Sequence, residues 1–119
     1  MVKVGAVTQR VIDLLKLNMT EGTPIYIGQS NINHMLQSHP EDYRRYKEQI
    51  PNILEQPDYV GINPSDNSIE YVKVFIFNDE SVKVAVRISR GGKLYARTIY
   101  ARDLQKMERF VQKGYLLKY

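Results

Sequence analysis

Cysteine is absent from all 119 residues of the chain. A disulfide framework, a thiolate zinc site and a cysteine nucleophile are thereby excluded together. Histidine is nearly as scarce, with only His34 and His39. Two imidazoles without an adjacent carboxylate cluster fall short of the three protein ligands usual at a catalytic zinc ion, so neither a metal nor another cofactor is expected. Long apolar runs are missing as well. Lys3, Arg10, Asp13 and Lys16 interrupt the first twenty residues, leaving no signal peptide and no membrane span, and the expected setting is a soluble protein in the cytoplasm. No Walker-type or dinucleotide glycine motif, internal repeat or low-complexity tract occurs.

Acidic residues are outnumbered, 13 against 17 basic ones, for a formal net charge of +4. Such an excess suits attraction to phosphate backbones. An apolar fraction of 43% with 25% charged residues fits a folded chain rather than a disordered one. The length fits a single domain with one core, residues 1–119.

The first half reads as helical. Apolar positions predict a short helix over 11–17, stopped by Asn18 and a turn at residues 20–24. A brief strand follows over 24–28, and Ser30 is placed to cap a helix reaching about Ser38, with Ile32, Met35 and Leu36 on its apolar face. Pro40 pushes His39 out of helical geometry and can itself open the next helix, with Glu41 and Asp42 at its positive end. Another helical turn is expected over 52–56, closed by Pro57.

From Asp58 onward the period changes to two. Strands are expected near 59–62 and over 69–77, 82–89 and 93–100, joined by turns at 63–67, at Asn78-Asp79-Glu80 and at Gly91-Gly92. Asp103 caps a last amphipathic helix carrying Leu104, Met107, Phe110 and Val111, ended by Gly114. Helices followed by a meander make an α+β fold: N-terminal helices packed on a four-stranded antiparallel sheet, with a C-terminal helix. Of nine tyrosines, Tyr26, Tyr43, Tyr46 and Tyr59 are expected in the core, while Tyr95, Tyr100, Tyr115 and Tyr119 could stack on unpaired bases.

Two histidines five residues apart in a basic chain are the minimum equipment for metal-free RNA cleavage. One ring accepts the proton of the ribose 2′-hydroxyl while the other donates to the departing 5′-oxygen. Arg87 or Arg97 supplies a planar charged fork for phosphate oxygens, and Thr98 or Tyr100 a hydroxyl. Alternation along the strand sends Arg97 and Thr98 to opposite faces unless a bulge intervenes. As single residues, His34 also fits a half-buried helical histidine, His39 a helix cap, and Arg87 and Arg97 a solvated sheet face paired with Glu70 or Glu80. Gly91-Gly92 between Arg90 and Lys93 reads as a hairpin rather than a phosphate cradle, and Asp58 as a turn residue.

The runs Ile32-Asn33-His34-Met35, His39-Pro40-Glu41-Asp42-Tyr43, Ile53-Leu54-Glu55-Gln56-Pro57-Asp58-Tyr59 and Arg97-Thr98-Ile99-Tyr100 resemble the PBECR domains. These are phage-borne relatives of the barnase, EndoU, colicin and RelE superfamily, and the resemblance covers roughly residues 23–115. It implies helices on a four-stranded antiparallel sheet and metal-independent RNase activity associated with phages, mobile elements and toxin systems. By position, His34 and His39 match the family's histidine motif, Thr98 its strand hydroxyl, and Arg87 and Arg97 become candidate phosphate ligands.

The expected function is therefore an endoribonuclease toxin or effector, with RNA as substrate, an antitoxin or immunity protein as a possible partner, and a 2′,3′-cyclic phosphate as product. The alternatives are a nucleic-acid-binding module without catalysis, whose grip weakens steeply with salt, and a protein-binding inhibitor made by a mobile element and anchored by exposed tyrosines.

Overall fold

A computed structural model describes residues 1–119. The chain opens with strand β1 (Val2–Ala6) and helix α1 (Gln9–Leu15). The helix starts two residues earlier than its apolar pattern indicates because the Thr8 hydroxyl accepts the Val11 N–H at 3.2 Å. Next come β2 (Pro24–Ile27), α2 (Gln29–Ser38), α3 (Pro40–Tyr46), a 3-10 turn (Lys47–Gln49) and α4 (Ile50–Glu55). The second half runs β3 (Tyr59–Ile62), β4 (Ile69–Phe75), β5 (Glu80–Ile88), β6 (Leu94–Asp103), α5 (Leu104–Gln112) and β7 (Leu117–Lys118). No helix is long and apolar enough to cross a membrane.

The fold is mixed α+β, but its sheet has seven strands, in the order β1-β2-β6-β5-β4-β3-β7, rather than four. The four expected strands form the middle of that sheet. The additions lie at its two sides, where short strands leave little periodicity to read: β1 is five residues long and includes Gly5, and β7 has only two residues. Nor is the sheet wholly antiparallel. β2 and β6 are parallel, pairing Ile25 with Leu94 and Tyr26 with Tyr95, as the long crossover between them permits.

One face of the sheet carries the main core. Val82, Val84 and Val86 of β5, Ile99 of β6 and Tyr71 of β4 pack there against Val11, Met35, Ile53 and Leu54 of the helices. On the opposite face α5 buries Met107 against Val72 and Leu116. Asp103 begins α5 as expected, its carboxylate accepting the Lys106 N–H at 2.8 Å. Asp58 sits at the bend before β3, and its side chain ties that bend to β4, not to a local turn, by accepting the Val74 N–H at 2.6 Å.

Two local expectations are corrected. α2 is capped at Gly28, not Ser30, because β2 runs into the helix without a loop. The Asn31 side chain accepts the Gly28 N–H at 2.8 Å, which leaves Ser30 inside the first turn. Of the four tyrosines assigned to the core only Tyr46 is buried, whereas Tyr71 is buried completely. Its position on β4 opposite Val84 puts it on the core face.

Candidate functional site

β5 and β6 pair residue for residue except at one step. Ala85 faces Thr98 and Val86 faces Ala96, so Arg97 is the extra residue of a β-bulge. Cross-strand partners share a face. Tyr95 with Arg87, Thr98 with Ala85, Tyr100 with Lys83 and Arg102 with Ser81 therefore form a row on the face turned away from the main core. Strict alternation would send Arg97 to the other side from Thr98. The bulge instead lets Arg97 line a common cleft with Arg87 and Tyr95, so both it and Thr98 belong to the same face.

The cleft, about 860 Å³, lies at the Gly91-Gly92 end of the β5–β6 hairpin. His34, Arg87, Arg90, Arg97 and Tyr95 line it together with the first turn of α2, and no carboxylate does. That turn presents the positive end of a ten-residue helix, whose first N–H groups lack intrahelical acceptors. The arginines are also free of acidic partners. Glu70 bonds to Lys83 at 2.9 Å and Glu80 is taken by Arg45 and the Tyr46 hydroxyl, so neither pairs with Arg87 or Arg97 as a solvated sheet face would have it. Glu80 and burial together hold the Tyr46 hydroxyl above the ordinary tyrosine range, with burial the larger cause. Asp66 is held below the usual carboxylate range by its hydrogen bonds to Ser68, with a weaker pull from Arg87 and Lys83.

His39 occupies the break between α2 and α3, with φ −143° and ψ 65°, and Pro40 opens α3. Its side chain does not cap either helix. The ring instead packs edge-on against Tyr100, 4.6 Å between centroids, and its Nδ1 lies 4.0 Å from the Asp42 carboxylate. Asp42 in turn accepts the Ala101 N–H at 3.0 Å, which ties the helix junction to β6. His34, Arg87 and Arg97 are thus brought to one cleft, while His39, Thr98 and Tyr100 lie outside its lining, farther along β6.

The cleft also holds residues that pattern alone passed over. Arg90 and Ser89 reach it because the Gly91-Gly92 turn is a tight hairpin, with Gly92 at φ 83° and Ser89 paired to Lys93 through the backbone. The signal for Arg90 was its place beside that turn. For the first turn of α2 there was no signal, since its role depends on where the helix points. No three histidine or acidic side chains converge anywhere in the fold. Three guanidiniums, a helix N-terminus and one imidazole can bind a phosphate and exchange a proton beside it.

Among curated proteins and among solved structures nothing matches the chain. A family model does match, over residues 2–109 of 119, a span that begins earlier than the sequence resemblance, at β1 and α1, and ends within α5. That family is nuclease-like by its description, and the chain belongs to it: the phage-Barnase-EndoU-ColicinE5/D-RelE like nuclease3 family, PBECR3.

Proposed function

We propose that this protein is a metal-independent endoribonuclease, a toxin or effector of a phage or mobile element, that cuts single-stranded or looped RNA. The observation that carries the reading is the cleft in which His34 stands among Arg87, Arg90 and Arg97 with no carboxylate on the walls. Such a donor set attracts a phosphodiester and repels a divalent cation, whose preferred ligands are oxygens. Flexible RNA is the favoured substrate because attack requires the 2′-hydroxyl to come into line with the phosphorus, a geometry a regular helix disfavours.

In this scheme His34 accepts the 2′-hydroxyl proton as the 2′-oxygen bonds to phosphorus. Arg87 and Arg97 stabilise the charge gathered on the non-bridging oxygens, assisted by the start of α2. The bond from phosphorus to the 5′-oxygen breaks, and that oxygen takes its proton from His39, which stands just beyond the end of α2 against Tyr100. Thr98 and Tyr100 position the phosphate along the row. The products are a 2′,3′-cyclic phosphate and a free 5′-hydroxyl, and an antitoxin or immunity protein is the natural partner of such an activity.

The test is incubation of mixed cellular RNA with purified protein in excess chelator, comparing wild type with His34→Ala and reading the fragment ends. Cleavage with cyclic phosphate ends, reduced about 100-fold or more by the substitution, is the expected result. A second reading is favoured by the position of His39 outside the cleft lining, which leaves one imidazole there: a module that grips RNA without cutting it. RNA left intact from about pH 5 to 8 yet still bound would establish that reading instead.

A further inference from the structure

A second cavity, of about 320 Å³, opens between α5 and the sheet, within the range of small-ligand pockets. Met107, Phe110 and Leu116 give it apolar walls, and Glu70, Lys83 and Arg102 a polar one. Two of these polar groups have unspent bonding capacity. The guanidinium of Arg102 lies 4.9 Å from the Tyr100 ring centre and 4.6 Å from that of Phe110, held by both rings, yet it has neither a carboxylate partner nor a side-chain hydrogen bond. The Glu70 carboxylate uses Oε2 for both Lys83 and Asn63, which leaves Oε1 without a protein donor. An immobilised donor and a free acceptor on the walls of an apolar slot match the edge of a heteroaromatic ring that carries an N–H beside a carbonyl.

The cavity and the arginine cleft are connected by the sheet. Lys83 on β5 and Arg102 on β6 occupy the same face as Arg87 and Tyr95. Four residues of strand separate Lys83 from Arg87, roughly 13 Å, with Ala85 and Thr98 between them on that face and Tyr100 beside Lys83. A strand whose phosphate sits among the arginines can therefore extend along the row to the cavity, with Lys83 beneath its backbone.

We infer that the cavity under α5 receives an unpaired nucleobase of the RNA strand whose phosphate lies in the arginine cleft. The inference rests on the proposed RNA reading and adds what it lacks, a site that reads a base. Phe110 supplies aromatic surface, Glu70 accepts from the base's amino or imino group, and Arg102 donates to its carbonyl. Any preference among bases arises from this edge rather than from the cleft, whose charges contact only phosphate.

The test uses NMR on the full chain, following the Met107 methyl and the His34 ring during titration with four nucleotide ligands long enough to span both sites, the 2′-O-methyl trinucleotides of adenine, cytosine, guanine and uracil, and with inorganic phosphate. At least one nucleotide is expected to shift both signals saturably, while inorganic phosphate shifts His34 alone. Phe110→Leu should weaken that nucleotide roughly ten-fold, the range of one base stack, and leave the response to inorganic phosphate unchanged. If all four nucleotides move His34 and none moves Met107, the base site is overturned and the RNA reading stands. If none moves either signal, both fall. A Met107 response to nucleotides that leaves His34 still would mean an independent small-molecule pocket and would likewise overturn the inference.

Discussion

The carboxylate of Asp42 accepts the backbone N–H of Ala101 at 3.0 Å and sits 4.0 Å from Nδ1 of His39. One side chain thus joins α3 to β6 and stands beside the imidazole at the helix junction. Asp42→Ala strips the acceptor from a half-buried amide and should cost about 1–3 kcal/mol. Asp42→Asn keeps an acceptor and should cost less. Urea midpoints of the two variants check this, and an equal loss in both would show that charge rather than the hydrogen bond holds the junction.

Arg87→Ala and Arg97→Ala should each weaken binding to single-stranded RNA and flatten its salt dependence. The slope of log K against log salt should shrink by about 0.7 for each phosphate that is no longer neutralised. Neither arginine has an acidic partner, so unfolding free energy should stay within about 0.5 kcal/mol of wild type. Fluorescence titration over a salt series measures the slope. An unchanged slope would place that arginine off the strand.

Tyr71 is completely buried and its hydroxyl has no hydrogen-bond partner. Removing an unsatisfied buried group costs nothing in bonding, so Tyr71→Phe should leave Tm unchanged or raise it by a few degrees. A lower Tm would show that the hydroxyl has an acceptor after all.

Burial also pushes the Tyr71 hydroxyl well above the ordinary tyrosine range, and Tyr46 is shifted the same way. The folded state therefore holds these protons more tightly than the unfolded one. Their contribution is complete below the unfolded value of about 10 and is lost as pH rises toward the folded values. Stability should fall above about pH 10, and Tyr71→Phe should make that fall shallower. Urea melts from pH 8 to 11 test the sign.

Gly61 on β3 lies where an added Cβ would collide with the carbonyl oxygen of Tyr115. Gly61→Ala should push away the segment that leads into β7, costing about 1–3 kcal/mol. Hydrogen exchange should quicken at Tyr119, whose N–H donates to the Asp58 carbonyl at 3.1 Å. Unchanged protection there would mean that the tail adjusts without detaching.

Elements with a dense local signal could be read from the chain. Val82, Val84 and Val86 announce a half-buried strand, Pro40 a helix start, Asp103 a cap and Gly91-Gly92 a hairpin, and each is found where its neighbours place it. The misses share a cause. β1 and β7 are strands because a partner lies beside them, β2 pairs in parallel with a strand nearly seventy residues later, and Tyr71 is buried by helices far away in sequence. None of these partners leaves a mark within a short window of residues.

By itself the amino-acid sequence determined the chemistry available: no thiol, two imidazoles, an excess of cations, and a helical half followed by a β-rich half. These follow from side-chain identity and local period, which need no knowledge of distant residues. Tertiary structure alone decided which of them meet. One extra residue in β6, paired against a regular β5, turns Arg97 into the cleft of His34 and Arg87, while the break at His39 carries the second imidazole to Tyr100. A bulge exists only relative to the strand beside it, and so the assembly of this cleft is a property of the pairing rather than of either strand.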